Sequence, residues 1–161
     1  MNIAKAKILV ADRDMQRRGL IETTLKGACY TVISSGSYEE SLKKAIAEKP
    51  EVIIVDMSLD HETDPVKAVE GENPYADRIS WHPSVVERRW PRAPGYALIG
   101  ALNDRPETMM VRTILLIPKM ADTVMLYGGE GVRADCYLMI PIDPSELLQS
   151  VSRLLTQSDA R

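Results

Sequence analysis

The sequence predicts an α/β fold with a doubly wound, parallel sheet of five strands. Short apolar segments rich in β-branched residues recur along the chain, as is typical of strands that are covered on both faces. Segments in which apolar residues follow the helical period lie between them. Because the two patterns alternate, we expect the strands to run parallel, with helices on both faces of the sheet.

Five segments are predicted to be strands, and three segments between them to be helices. The strands are residues 7–11, 30–35, 51–57, 113–117 and 136–140. The helices are residues 15–26, 38–48 and 96–103. The alternation of strands and helices predicts another helix before the fifth strand. Residues 125–135 contain three glycines in four positions, so this helix is predicted to be short or irregular.

The last helix has the strongest local signals. Asp143 is a suitable N-cap, Pro144 suits the first helical position and Glu146 completes a capping box. An apolar stripe with helical spacing follows, made of Leu147, Leu148, Val151, Leu154 and Leu155. No output domain is expected after this helix, so we expect the chain to act through a partner.

Composition and charge argue against several classes of protein. The chain has 161 residues and a net charge of -3, without a long basic run, which argues against binding to nucleic acid or anionic membranes. No segment has the pattern of a membrane span or a secretory signal, so a cytoplasmic location is expected. Cys29 and Cys136 lie among apolar or aromatic residues and are predicted to be buried thiols rather than a disulfide or metal ligands.

Residues 60–94 interrupt the alternation where a short loop would serve. They contain five of the ten prolines and both tryptophans. A replacement metal site is one hypothesis, with Asp60, His61, Glu62, Asp64 and His82 as its candidate ligands, although their spacing fits no known ligand pattern. The aromatic residues beside arginines are typical of a protein interface, and the alternative is that they pack on their own small core or cover the sheet's cleft.

The order of these segments resembles the receiver domain of bacterial response regulators, the CheY-like family. The similar stretches are KILVADRD, PEVIIVDMSLD, GYALIGALNDRPETMMVRTILLI and ADCYLMIPIDPSELLQSVSRLL, and together the similarity covers residues 1–59 and 95–156. The resemblance implies a flavodoxin-like sheet with strand order 2-1-3-4-5. It also implies one domain over residues 1–161, with residues 60–94 as an insertion between strand 3 and helix 3.

The resemblance implies a phosphoaccepting aspartate at Asp56 and a magnesium-binding carboxylate at Asp12. Phosphoryl transfer to Asp56 needs Mg²⁺, a hydroxyl donor and a lysine that stabilise the transferred group. Three matching positions lack this chemistry, because Arg13 stands at the second acidic position, Pro118 at the hydroxyl position and Ile140 at the lysine position. The sequence therefore predicts a degenerate receiver domain, a pseudo-receiver in which Asp56 is vestigial.

Arg13 is the residue that best explains the loss of the metal site. A guanidinium in place of a carboxylate removes an oxygen ligand and repels Mg²⁺. We expect Arg13 to pair with Asp56 or Asp12 and to supply the missing positive charge. The alternatives are that Arg13 points to solvent, or that Asp12 and Asp56 still bind Mg²⁺ with an oxygen from Asp14.

Two further positions match the family's signalling apparatus. Tyr137 matches an aromatic residue on the fifth strand that moves inward on activation, but with Pro118 beside it we expect the tyrosine to keep one rotamer. The bond between Ile140 and Pro141 matches one that is cis in the family, and a cis bond is expected here.

Three functions remain open at this point. The first is a stand-alone atypical receiver domain in phosphorelay signalling that is not an enzyme, needs no cofactor and acts by protein contact. Its partner would be a sensor histidine kinase, a downstream regulator or a second copy of the chain. The second is a working phosphoacceptor that uses Asp56 with Mg²⁺, and the third is an α/β domain that binds a small ligand at the strand ends.

Overall fold

The computed structural model of the chain describes residues 5–60, 94–118 and 134–157. In them, five parallel strands form one sheet: β1 (Lys5–Ala11), β2 (Tyr30–Ser35), β3 (Val52–Asp56), β4 (Arg112–Pro118) and β5 (Cys136–Ile140). The strand order is β2-β1-β3-β4-β5. All neighbouring pairs run parallel, which confirms the predicted doubly wound, flavodoxin-like fold.

Four helices are described between and after these strands. They are α1 (Met15–Gly27), α2 (Tyr38–Glu48), α3 (Pro94–Asn103) and α4 (Pro144–Thr156). Asp143 caps α4 as predicted, because its carboxylate accepts hydrogen bonds from the backbone N–H groups of Ser145 and Glu146. The expected cis bond before Pro141 is present.

Several predictions fall on residues outside the described ranges. They are the interface or self-packing of the aromatic residues in 61–93, the metal-ligand candidates beyond Asp60, and the irregular helix over most of residues 125–135. The long separation between β3 and α3 is present in the chain, since β3 ends at Asp56 and α3 begins at Pro94.

The apolar residues of the strands build a core on each face of the sheet. Successive strand residues point to opposite faces, so Leu9, Ile53 and Leu115 belong to one core. This core also includes apolar residues of α2 and α3. Ile8, Ile54 and Ile114 belong to the other core, with residues of α1 and α4. Because both faces are apolar, the polar chemistry of the sheet lies at the ends of the strands.

Helix α3 begins directly against the end of β3. The backbone N–H of Gly95 donates a hydrogen bond to the carbonyl oxygen of Met57 at 3.1 Å. A Cβ atom at Gly95 would lie 2.5 Å from the carbonyl oxygen of Asp56 and 2.6 Å from Cα of Met57. Both distances are shorter than van der Waals contact, so glycine is required for this close approach.

The prediction of two buried thiols is half correct. Cys136 is buried, whereas Cys29 is exposed and has a φ of 68° just after the end of α1. The N–H of Cys29 donates to the carbonyl oxygen of Lys26 at 2.9 Å, which closes the last turn of the helix. Cys29 is thus a helix-ending residue in the left-handed conformation, a role that places its side chain at the surface.

A helix that spans a membrane needs about 20 predominantly apolar residues. None of the four described helices is long and apolar enough to cross a membrane.

Candidate functional site

The carboxyl ends of β1 and β3 bring two aspartates together. Ala11 and Val55 are register partners, so the next residues along each strand, Asp12 and Asp56, stand side by side. The exposed fractions of the two residues are 0% and 2%, respectively. Two carboxylates with little access to water need a positive charge or hydrogen bonds nearby, because burial without them is costly.

A single guanidinium, that of Arg17, provides that charge. Its Nε lies 2.6 Å from Oδ2 of Asp12, and its Nη2 lies 2.8 Å from Oδ1 of the same carboxylate. The same Nη2 lies 3.1 Å from Oδ2 of Asp56. Arg17 therefore binds Asp12 in the bidentate manner that suits a guanidinium and also forms an ion pair with Asp56.

The start of α1 explains why Arg17 reaches this position. Asp14 is the N-cap, and its carboxylate accepts hydrogen bonds from the backbone N–H groups of Gln16 and Arg17, both at 3.0 Å. Arg17 is then the third residue of α1. Side chains on a helix lean toward its N-terminus, so the side chain of Arg17 extends back to the strand ends.

The carboxylate and the backbone groups of Asp12 all form hydrogen bonds. Its Oδ1 also accepts a hydrogen bond from the backbone N–H of Asp14 at 2.8 Å. Its backbone N–H donates to the carbonyl oxygen of Ser35, and its carbonyl oxygen accepts from Nη1 of Arg18 at 2.9 Å. Asp12 is therefore held in place from α1 and from β2.

The carboxylate of Asp56 has fewer hydrogen-bond partners than that of Asp12. Its Oδ1 accepts a hydrogen bond from the backbone N–H of Ser58 at 2.9 Å. Its Oδ2 faces Arg17 at an ion-pair distance, but the pair lacks hydrogen-bond alignment, and this buried oxygen has no hydrogen-bond partner among the described residues. Burial raises the pKa of Asp56 and the charge of Asp12 raises it further, whereas the Ser58 N–H and Arg17 lower it.

The neighbouring carboxylates stabilise the charged form of Arg17. Burial works against the charged guanidinium, but the hydrogen bonds to Asp12, with the charges of Asp12 and Asp56, raise the pKa of Arg17 above its ordinary value. The site thus holds a permanent cation between two carboxylates.

The hypothesis that Arg13 pairs with Asp12 or Asp56 is wrong. Arg13 has a side chain that is 54% exposed, and its Nη1 lies 3.9 Å from Oδ1 of Asp60. The cause is geometric: Arg13 belongs to the turn before α1, whereas Arg17 lies on the helix and leans back. Asp14, the candidate extra metal ligand, caps α1 instead, and the backbone N–H of Arg17 lowers the pKa of its carboxyl group.

Pro118 and Ile140 lie next to each other at the same edge of the sheet. They are register partners at the last positions of β4 and β5. Neither side chain offers a hydrogen-bond donor, and Pro118 has no backbone N–H. The two strand ends that follow β3 in the sheet therefore present no polar side chain at these positions.

Tyr137 lies on β5 with its side chain on the face opposite to Cys136 and Leu138. It is 40% exposed, and its hydroxyl oxygen accepts a hydrogen bond from the backbone N–H of Ala134 at 3.2 Å. Burial, together with the neighbouring Tyr137, raises the pKa of Tyr96 on α3 to about 12. The two tyrosines are therefore close to each other on this side of the sheet.

Arg17, Arg18 and Gly95 are the residues of this region that the sequence analysis missed. A signal for Arg17 was available: with Asp14 as N-cap, residue 17 must lie in the first turn of α1, beside the strand ends. The requirement for Gly95 had no such signal, because the contact with β3 joins residues that are far apart in sequence.

Other ligand sites are not evident in the described part of the chain. Residues 5–60, 94–118 and 134–157 contain no group of three or more His, Cys, Asp or Glu side chains that could hold a metal ion. An open groove runs between β5 and α4 and is lined in part by Glu146, Gln149 and Arg153. It lies beside the first half of β5, away from Asp12 and Asp56.

Comparisons with known proteins agree with this architecture. No protein-family model matches the chain. The alkaline phosphatase synthesis transcriptional regulatory protein PhoP of Bacillus subtilis is 26% identical over 153 residues, which are 95% of this chain and 50% of that protein. The chain spans about half the length of the curated relatives that it matches.

Two solved structures share the fold. The chemotaxis response regulator CheY4 of Vibrio cholerae has a TM-score of 0.65 and 20% identity, covering 92% of this chain and 98% of that one. The signal receiver domain of a signal transduction histidine kinase from Syntrophus aciditrophicus has a TM-score of 0.65 and 18% identity, covering 97% and 94%. The chain therefore has the fold of CheY-like receiver domains, and its sequence is similar to that of a transcriptional regulatory protein.

Proposed function

We propose that this chain is a degenerate receiver domain that acts in two-component signal transduction by contact with a protein partner, without ordinary phosphorylation of Asp56. It forms one domain, with residues 60–94 as an insertion. The partner is a sensor histidine kinase, a downstream regulator or a second copy of the chain. Supporting this are the receiver fold and the chemistry of the groups that surround Asp56.

The observation that carries the proposal is the pair formed by Pro118 and Ile140. A phosphoryl group on Asp56 would extend from the end of β3 past the ends of β4 and β5, where donors must neutralise its oxygens. Both positions are apolar and adjacent in register. The phosphorylated form would therefore lack stabilisation, and the ends of β4 and β5 would have no polar group to report its presence.

The carboxylates of the site do not fit Mg²⁺ as they are arranged. Mg²⁺ requires about six oxygen ligands in near-octahedral geometry. Both oxygens of Asp12 accept hydrogen bonds from Arg17, and Oδ2 of Asp56 faces the same guanidinium. A second cation beside Arg17 would be repelled, so magnesium-dependent chemistry has no support from these residues.

Exposed apolar side chains support a function by contact. Met15 and Leu20 on α1 are 76% and 51% exposed, and Tyr137 and Met139 on β5 are also exposed. Apolar and aromatic side chains of this kind serve as anchors in protein interfaces. Met15 is the first residue of α1, the helix that also carries Arg17.

The experiment that tests the proposal is incubation of the chain with acetyl phosphate and Mg²⁺, followed by intact mass spectrometry. We expect no gain of a phosphoryl group under conditions that phosphorylate a known receiver domain. A gain that is abolished in Asp56→Asn would overturn the proposal and establish the second candidate, a working phosphoacceptor. One observation favours that candidate: Oδ2 of Asp56 accepts no hydrogen bond from the residues that the structure describes.

A further inference from the structure

We infer that the guanidinium of Arg17 stands in the place of a divalent cation, so that the chain contains a latent cation site closed by its own helix α1. This inference rests on the proposed function, since it gives Asp12 and Asp56 a role in a chain without magnesium-dependent chemistry. It goes beyond that function, because it predicts that the chain will bind Mg²⁺ once the side chain of Arg17 is replaced.

The contacts of Arg17 are those of a resident cation. Three carboxylate oxygens from the ends of two strands converge on it, at 2.6, 2.8 and 3.1 Å. Its side chain is 20% exposed, while the side chains of Asp12 and Asp56 are 0% and 3% exposed. Two negative charges and one positive charge leave a net charge of about -1 in a poorly solvated space, and removal of the guanidinium would leave about -2, which would attract a divalent cation.

The location of Arg17 on the helix shows that the carboxylates hold it there. A cation in the first turn of a helix is disfavoured by the helix dipole. The first turn of α1 contains no acidic residue, and the acidic N-cap Asp14 bonds to the backbone N–H groups of Gln16 and Arg17 rather than to a guanidinium. The closest stabilising contacts of the Arg17 guanidinium are therefore those with Asp12 and Asp56, and Arg17 is the link between α1 and the ends of β1 and β3.

The two neighbouring arginines provide an internal comparison. Arg13 is exposed and lies near Asp60, and Arg18 donates to the backbone carbonyl oxygen of Asp12 rather than to a carboxylate. Among these three arginines, Arg17 is the one whose removal would leave both buried carboxylates without their cation. Oxygen ligands of this type are the ones that hard divalent cations bind.

The test is Mg²⁺ binding by the parent chain and by Arg17→Gln, measured by calorimetric titration and by thermal unfolding at matched ionic strength. We expect the parent to show no saturable binding and no change in unfolding temperature. We expect Arg17→Gln to bind Mg²⁺ at least roughly tenfold more tightly than the parent and to unfold at a higher temperature when Mg²⁺ is added. Arg13→Gln is the matched control and should behave like the parent, because the Arg13 side chain is exposed and lies near Asp60.

A second variant identifies the ligands of the ion. Asp56→Asn combined with Arg17→Gln should lose the gain in binding, because one carboxylate has been removed. If Arg17→Gln does not fold in metal-free buffer, recovery of folding on addition of millimolar Mg²⁺ or Mn²⁺ supports the inference, and failure to recover contradicts it.

The inference and the proposed function fail in different ways. Folded Arg17→Gln that binds Mg²⁺ no better than the parent would overturn the inference and leave the proposed function intact. Mg²⁺ binding by the parent at the same affinity as Arg17→Gln would overturn the inference as well. Phosphorylation of the parent on Asp56 would overturn the proposed function, whatever the variants bind.

Discussion

Nε of Arg17 lies 2.6 Å from Oδ2 of Asp12, and this bond joins the first turn of α1 to the end of β1. The same guanidinium extends to Asp56 at the end of β3. One side chain therefore connects three elements at the edge of the sheet where open α/β folds place their ligands. Its effects on stability and on cation binding can be measured separately.

Replacing Arg17 should destabilise the chain. Arg17→Gln leaves two buried carboxylates without their counter-charge, and we expect the free energy of unfolding to fall by roughly 2 kcal/mol. Arg13→Gln is the control, and its exposed position predicts a change within about 0.5 kcal/mol. Urea unfolding followed by circular dichroism measures both. Equal losses in the two variants would contradict the assignment of Arg17 as the buried partner.

Replacing Asp56 should have the opposite effect. Asp56→Asn removes one negative charge from a site that has two carboxylates and one guanidinium. Arg17 keeps its bidentate contact with Asp12. We expect the free energy of unfolding to rise by roughly 1 kcal/mol at neutral pH, since the substitution removes a buried charged oxygen that accepts no hydrogen bond from residues in the described ranges.

The pH dependence of this gain follows from the raised pKa of Asp56. A carboxyl group whose pKa is higher in the folded state binds its proton more tightly there, so its contribution to stability is present at low pH and is lost as pH rises through the folded pKa. The stability difference between Asp56→Asn and the parent should therefore be largest at neutral pH and should shrink on acidification. Urea titrations at several pH values measure it, and a difference that grows toward low pH would contradict the account.

Gly95 should be intolerant of substitution although it lies in a helix. Gly95→Ala places a Cβ against the backbone of Asp56 and Met57, and we expect a loss of roughly 2 kcal/mol. Gly19→Ala on α1 is the matched control: nothing lies within 4 Å of its Cβ position, so alanine should stabilise by up to about 1 kcal/mol. Thermal unfolding of the two variants should give shifts of opposite sign, and a stabilising Gly95→Ala would refute the close approach.

Lys49 offers a site for stabilisation. It ends α2 with a φ of 47°, a conformation that costs a residue with a side chain about 1 kcal/mol relative to glycine. Lys49→Gly should therefore raise the free energy of unfolding by roughly 0.5 to 1 kcal/mol. Lys43→Gly, at an exposed position inside α2, should lower it by about 1 kcal/mol. Denaturant titration distinguishes the two, and a destabilising Lys49→Gly would show that its side chain makes contacts that matter more than the backbone.

The sheet could be predicted from sequence because the strands repeat one local pattern. The bounds of β2 and β5 agree with the predicted residues, and β3 is one residue shorter at each end than predicted. The agreement is close because a buried strand is a run of apolar residues that can be recognised in the sequence. The cap of α4 was predictable for the same reason, because Asp143 acts on residues two and three positions away. The behaviour of Cys29 was not, since its exposure depends on the left-handed turn at the end of α1.

The candidate site was predicted in its carboxylates but not in its cation. The positions of Asp12 and Asp56 follow from strand ends, which the sequence defines. The stretch DRDMQRR contains three arginines, and the choice between them depends on where α1 begins and which way its side chains lean. Because α1 begins after Asp14, Arg17 lies in its first turn with its side chain directed toward the strand ends, whereas Arg13 lies before the helix.

Anomalous diffraction from crystals grown with Mn²⁺ tests the central claim most directly. Mn²⁺ is a stand-in for Mg²⁺ that scatters strongly enough to be located. The account predicts that the guanidinium of Arg17 lies between Asp12 and Asp56 and that no manganese peak appears there. A manganese peak between the two carboxylates, with Arg17 turned away, would contradict it.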